Sequence, residues 1–415
     1  MEFLSTLNEN VDVPNGRLET LKALKVALLT GGIDRPYAFG LAMALAETNV
    51  HVDVIGSEIV DSPEMHQNKN ISFFNLWPPR QPNPSLIDKV SRTLRHYTSL
   101  IQYSASARPR VFHILWNSKV QLFDRTLLML YFRVLGKRIA LTAHNVNQAR
   151  RDSQDSWLNR ITLRIQYHLA DHLFVHTHKM KDELLKDFGV TDQSVTVIRH
   201  PINDAFPNTG LTPSGAKSRL GLGDTDKTIL CFGRIKPYKG IEHLLQAFQK
   251  LVAKDDRYRL VIAGAVEKES KEYMDALIRA MPPNMEKGQI ILKAQFIPDE
   301  EMELYFKAAD VFVLPYREIF QSGVLFLGYS FGLPVIATDV GSFREDVVEG
   351  ITGYVCRAGD PMDLASTIEV YFESDLYHNL ATRRQDIKNH AHTHHSWAAV
   401  ATLTREAYEG ILRSI

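Results

Sequence analysis

Short apolar, β-branched runs alternate with helical periods along almost the whole chain, and that alternation constrains the fold more than any other feature. A strand that feeds a helix and returns parallel to itself makes a βαβ unit. Repeated units give parallel sheets covered on both faces. LKVALLTGG, PYAFGLAMALAE and VHVDVIG form the first unit, and strands at VFHILW, RIALTAHN and DHLFVHT extend it. A second set runs through TILCFGRI, RLVIAG, IILKAQFI, DVFVLPY and LPVIATDVG, each trailed by an amphipathic segment. Between the sets, VTVIRHPINDAFPNTGLTPSG is rich in Pro, Asn, Gly and Ser and reads as an interdomain hinge. The fold class is therefore α/β, with two doubly wound domains over residues 1–200 and 201–395 and a last helix within 396–415 crossing back to brace the first domain.

At 415 residues the chain is too long for one ordinary core. Its 48 basic residues balance 48 acidic ones, so no global field recruits nucleic acid, and none is expected as a partner. Cys231 and Cys356 sit inside apolar runs, as buried thiols in a reducing compartment would. MEFLSTLNENVD lacks the basic start and apolar run of a secretory signal, so a cytoplasmic location is expected. The uncharged stretch from Gln321 to Thr338 is nearly long enough to span a bilayer, but Gly328, Gly332 and Pro334 break it into a buried helix, turn and strand.

The sharpest chemical signal is FGRIKPYKG. A strand ends at Gly233, Arg234 and Lys239 follow, and a helix starts near Gly240. Guanidinium, ammonium and free backbone N–H groups at a helix start can neutralise a diphosphate leaving group without a metal. Further on, Gln321-Ser322-Gly323 opens a helix whose small residues let backbone N–H groups approach phosphate oxygens. Gly31 and Gly32 occupy the turn after the first strand, where backbone can crowd a ligand. His144 ends the strand RIALTAHNV with Asn145 beside it, which puts an imidazole at the carboxyl edge of the sheet, facing the cleft. Asp224 and Asp226 have metal-chelating spacing but precede a strand in a polar turn, and His390, His392, His394 and His395 read as solvated surface. No metal and no cofactor are expected. Dinucleotide and P-loop fingerprints are missing from the sequence.

With these residues assembled, the chain resembles glycosyltransferase family 4 from about Leu24 to Leu412. The segments that carry the resemblance are TAHNV, ADHLFVHTHKMKDELLKDFGV, VIRHPIND, FGRIKPYKG, FKAADVFVLPY, QSGVLFLGYSFGLPVIATDVGS and HSW, in that order. It implies the GT-B fold, two Rossmann-like domains facing a central cleft, and a retaining transferase that uses a nucleotide diphosphate sugar. UDP- and GDP-sugars both remain open as donors. By the resemblance, Arg234 and Lys239 hold the diphosphate, Gly32 approaches it from the other domain, and Ser322, Gly323 and Val324 contact phosphate or ribose. His144 contacts the sugar, while Phe296 and Ile297, read as ending a strand, frame the base.

Many members carry two glutamates eight positions apart before Gly-x-Pro-Val; here those slots hold Ile319 and Leu327. Glu318, one place from the first slot, is the candidate replacement. That departure keeps open a non-catalytic nucleotide-sugar-binding subunit, beside a phosphorylase or epimerase on the same architecture. The acceptor is open among saccharide, lipid-linked and small-molecule classes. Arg92, Arg95, Arg108 and Arg110, interleaved with Tyr97, Leu100, Ile101 and Tyr103, form either a basic, apolar surface for peripheral contact with the inner face of a membrane or a solvated helix face with a packed underside.

Overall fold

The computed structural model describes residues 24–32, 34–79, 84–151, 155–202, 209–281 and 288–413. The stretch MEFLSTLNENVD, the Asn203–Asn208 part of the hinge and residues 414–415 lie outside them.

Two all-parallel sheets form. The first contains β1 (Lys25–Leu29), β2 (His51–Gly56), β3 (Ile71–Asn75), β4 (Val111–Ile114), β5 (Arg138–Thr142), β6 (His172–Val175) and β7 (Val195–Val197), in the order β3-β2-β1-β4-β5-β6-β7. The second contains β8 (Lys227–Phe232), β9 (Tyr258–Ala263), β10 (Ile290–Lys293), β11 (Val311–Leu314), β12 (Val335–Thr338) and β13 (Gly353–Cys356), in the order β10-β9-β8-β11-β12-β13. The central strands are almost fully buried, as strands covered by helices on both faces must be. Three strands are additions to the sequence reading: β3, β7 and β13 each lie at a sheet edge.

In each sheet the strand order reverses beside the first strand, between β1 and β4 and between β8 and β11. The crevice at such a reversal, outside the carboxyl ends of the strands, is where open α/β sheets take ligands. The turns after β1 and β8 are the two Gly-containing loops of interest.

The helices that matter for the site are α1 (Arg35–Glu47), α2 (Leu86–Ser106), α3 (His178–Phe188), α4 (Ile241–Val252), α5 (Gly323–Ser330), α6 (Leu380–His394) and α7 (Trp397–Arg413). Asp34 caps α1 through the Tyr37 N–H, and a proline sits in its first turn. Ser85 and Asp88 form a reciprocal capping box on α2. The uncharged stretch resolves into α5, a turn and β12, and no helix among the described residues is long and apolar enough to cross a membrane. Both cysteines are buried and free.

After the second domain the chain returns to the first. Val400, Ala401, Tyr408 and Ile411 of α7 belong to the first domain's core. Tyr408 Oη meets His113 Nδ1 at 2.6 Å, and His113 Nε2 meets Thr142 Oγ1 at 2.8 Å. α7 can lie so close to α1 because Gly40 has no side chain: a Cβ there would stand 2.1 Å from the Trp397 ring. The two crossings between domains are tied together. The Ile202 N–H donates to the His395 carbonyl at 3.0 Å, and His395 Nδ1 lies 3.0 Å from the His200 carbonyl oxygen. His395 was expected on a solvated surface; it is only 3% exposed, because it closes this hinge.

Replacing Gly40 by Leu should lower stability by about 2 kcal/mol through overpacking against Trp397. A lower urea midpoint with red-shifted tryptophan emission would show it; an unchanged midpoint would mean that α7 does not depend on this contact.

Candidate functional site

The β8 turn builds the cationic side of the cleft. Gly233 has φ 100°, and a Cβ on it would stand 2.8 Å from Lys239 Nζ, so only glycine leaves room for that ammonium. Lys239 is 3% exposed. Its Nζ donates to the Phe232 carbonyl at 3.0 Å and lies 5.2 Å over the Tyr316 ring. An ammonium carries three N–H donors, and this one has a single hydrogen bond among the described residues. Burial, with a smaller push from the nearby Arg234 charge, holds the Lys239 amine below its usual range.

Arg234 extends outward, 70% exposed, and its Nη1 reaches Glu267 Oε1 at 3.1 Å; Lys236 pairs with the other Glu267 oxygen at 2.7 Å. Across the cleft stands Asp34, whose carboxyl is raised by burial and pulled back by the Tyr37 N–H and the Arg234 charge. Arg35 acts in the same way on Asp299 of the opposite domain. The two sheet edges thus face each other through charge.

α5 abuts the same turn. Val324 Cγ2 lies 3.5 Å from the Cβ position of Gly233, and a Cβ on Gly323 would stand 3.5 Å from His200 Nε2. Ser322, at the cap, is buried with its hydroxyl 3.3 Å from Tyr316 Oη. The first-turn N–H groups of a helix have no intrahelical partner. Gln321 Nε2 is also buried without one. Gly233, Lys239, Ser322, Gly323 and Val324 are therefore brought together, with Arg234 beside them.

Facing them, Gly31 and Gly32 have φ 62° and 73°, and a Cβ on Gly31 would stand 2.9 Å from the Asn117 carbonyl oxygen. His144 lies two residues past β5, stacked on Trp116 at 4.2 Å and edge-on to Tyr37 at 4.7 Å. Its proton can be placed by hydrogen bonding. His176 Nδ1 lies 3.0 Å from the Ile198 carbonyl oxygen, which only accepts, so that nitrogen carries the proton. Burial pushes His176 down to about 4, so its Nε2 is a bare acceptor near neutral pH, and His144 Nδ1 donates to it at 2.9 Å. His144, neutral through burial and neighbouring histidines, is left with an unprotonated Nε2 that has no partner. Asn145 is half-buried beside it.

Other expectations fare differently. β10 stops at Lys293, so Phe296 and Ile297 do not end a strand; Phe296 is 72% exposed and Ile297 is buried in the second domain's core. Glu318 is exposed and lines a separate cavity with Arg150, Lys179 and Glu183 of the first domain, away from Arg234 and Lys239. Leu327 packs partly buried on the second core. The sequence reading missed Asp34, Tyr37, Trp77, Trp116 and His176. For His176 a signal was present: β5 pairs with β6, Thr142 opposite Phe174, which puts His144 and His176 at the same level beyond neighbouring strands.

A family model described as Glycosyltransferase Family 4 matches residues 31–206, and one described as Glycosyl transferases group 1 matches residues 226–374. The chain belongs to glycosyltransferase family 4. This family 4 chain is 28% identical over 269 residues to a D-inositol 3-phosphate glycosyltransferase of Corynebacterium efficiens, covering 64% of the chain and 62% of the relative. A D-inositol 3-phosphate glycosyltransferase of Corynebacterium diphtheriae is likewise 28% identical over 277 residues, with the same coverage of 64% and 62%. The match thus spans less than two thirds of these relatives' own length. Sucrose-phosphate synthase from Thermosynechococcus elongatus superposes with a TM-score of 0.73 at 17% identity, covering 94% of this chain and all of that one. Anabaena HepE in complex with UDP-glucose gives a TM-score of 0.68 at 14% identity, again covering 94% of this chain and all of that one. The likeness gives this family 4 chain the GT-B fold.

The buried histidines set a pH dependence. His113 and His200 are pushed down to about 3, and His176 and His395 to about 4, in each case chiefly by burial. Below their usual value near 6.5 the unfolded chain binds protons that the folded chain refuses, so stability must fall as pH falls. The urea midpoint should hold steady above pH ~6.5 and drop steeply toward pH ~4; a flat profile across that window would contradict the neutral hinge.

Proposed function

We propose that this chain moves a sugar from a nucleotide diphosphate sugar to an acceptor hydroxyl, with retention of anomeric configuration and without a metal. The observation that carries the reading is Lys239: a buried ammonium with spare donors, held by Gly233 beside the start of α5, with the Arg234 guanidinium next to it. Such a cluster stabilises the negative charge that develops as a nucleotide diphosphate departs. His144 offers a lone pair at Nε2 to a donor-sugar hydroxyl, which binds and orients the sugar. The acceptor hydroxyl then attacks on the face the diphosphate leaves, and its proton passes to a phosphate oxygen. Among the described carboxylates, Glu318 lines another cavity, Glu267 is held in ion pairs with Arg234 and Lys236, and Asp34 caps α1, an arrangement that favours the front-face route over double displacement. A neighbour of the same fold holds UDP-glucose, and the relatives' names are those of glycosyltransferases. UDP- and GDP-sugars are the donor candidates.

The substitution Arg234→Ala should lower turnover about 100- to 1000-fold, the cost of removing one charge-stabilising donor. Lys239→Met, which keeps the stem, should act in the same direction. Chelator should leave the rate unchanged, and the product anomer should match the donor in NMR. Wild-type turnover by Arg234→Ala would sink the leaving-group assignment. The second reading, a non-catalytic nucleotide-sugar-binding subunit, is motivated by Leu327 in a slot where many members carry glutamate. Its outcome is different: nucleotide diphosphates at a hundred times their Kd stabilise the chain by about 2.7 kcal/mol, yet donor is neither transferred nor hydrolysed.

A further inference from the structure

The donor side of the cleft says little about the acceptor, but α2 does. A groove of about 700 Å³ runs along its amino-terminal half, with Trp77, Lys89, Arg92, Arg95 and Lys119 on its walls. Trp77 closes the inner end. The same indole packs on Gly32, where a Cβ would stand 2.7 Å from Nε1, so the groove begins at the carboxyl edge of the first sheet. Arg92 donates to the Pro78 carbonyl at 2.7 Å and lies 5.2 Å over the Trp77 ring. Lys89, Arg95 and Lys119 form no ion pair among the described residues. The one carboxylate on the groove wall, Asp88, is taken up by the capping box with Ser85.

At its outer end the groove merges with a second hollow, sharing Pro78, Ser91 and Arg95. There α2 presents Leu86, Ile87, Val90 and Leu94, exposed at 76%, 79%, 51% and 62%, on one helix face. The lining thus changes in order: aromatic beside the reaction centre, cationic in the middle, apolar outside. A free sugar would need only the first part. Unpaired cations next to an exposed apolar face match an anion attached to a hydrocarbon chain, and free phosphate would leave that face without an occupant.

We propose that α2 is the seat of an amphiphilic acceptor, a saccharide joined through phosphate to a lipid chain and drawn directly from an anionic bilayer. The sugar faces Gly32, the phosphate lies on Lys89, Arg95 and Lys119, and the apolar turn of α2 enters the lipid. The inference rests on the transferase reading above. It uses Arg92 and Arg95 of the four arginines noted in the sequence; Arg110 directly precedes β4, at the opposite edge of the sheet, and takes no part. Tyr97 and Leu100 face the core instead.

Flotation of the whole chain with vesicles tests this. Phosphatidylglycerol vesicles should carry the protein at least tenfold more tightly than phosphatidylcholine vesicles. Leu86→Ser with Ile87→Ser should weaken that binding tenfold or more, and Arg95→Gln about fivefold. Lys250→Gln, on α4 of the other domain, should change nothing. The proposal is overturned if the protein stays unbound, if both lipids act alike, if the double serine variant floats normally, or if that variant merely converts a dimer to a monomer in sedimentation. Soluble sn-glycerol 1-phosphate should compete poorly; displacement at equal phosphate concentration would refute the lipid half. Thermal stabilisation of the wild type by UDP or GDP, without vesicles, reads the donor site alone. A chain that nucleotide stabilises but vesicles do not carry keeps the transferase reading and loses this one.

Discussion

The cleft exists because the two crossings between domains are clamped to each other. The Ile202 N–H bonds to the His395 carbonyl, His395 bonds to the His200 carbonyl, and the His200 ring stacks on Phe326 at 5.1 Å. Backbone polar groups that cross between domains need partners once buried, and here each crossing supplies the other's. That mutual satisfaction fixes the distance between the carboxyl edges of the sheets. Lys239 and His144 can serve one ligand only if that distance is right. Three of the buried groups nearby are imidazoles that must stay neutral, so the reaction geometry is tied to the proton balance of the hinge.

Much of the fold was legible because its central strands are continuous apolar runs bounded by Gly and Pro, a pattern with few alternatives. The strands that escaped notice explain themselves. β7 has three residues and merges with the Pro-rich hinge, β3 carries Ser72 and exposed Phe74, and β13 follows a Gly turn with Tyr354 and Val355 only half-buried. An edge strand is covered less completely, so its sequence need not be uniformly apolar. The boundary of β10 erred for a related reason: IILKAQFI stays apolar past Lys293, although the pairing with β9 stops there.

The cationic half of the site was legible because its chemistry is local. Arg234, Lys239 and the glycines that admit them lie within one loop, and a diphosphate demands those residue types. The other half depends on long-range pairing. His176 acts on His144 through 32 positions of sequence separation, and Trp77 reaches Gly32 only once β2 and β3 have formed. Glu318 shows the converse limit. Its neighbours Ile319 and Phe320 line the same cavity, so the whole segment turns away from Lys239, and counting along the sequence could not show that. His395, read as one of four surface histidines, became a structural member because the chain reverses direction immediately after it.

The return of α7 to the first sheet has a consequence for how the molecule is made. Chains emerge from the ribosome amino end first, and domains ordinarily fold as they appear. Here the first lobe cannot close when its own strands are out. The faces of α1 at Gly40 and of β4 at His113 wait for Trp397 and Tyr408, which are synthesised after the entire second lobe. The core of the first lobe is therefore complete only after the whole of the second has been synthesised, when the last helix arrives to seal it.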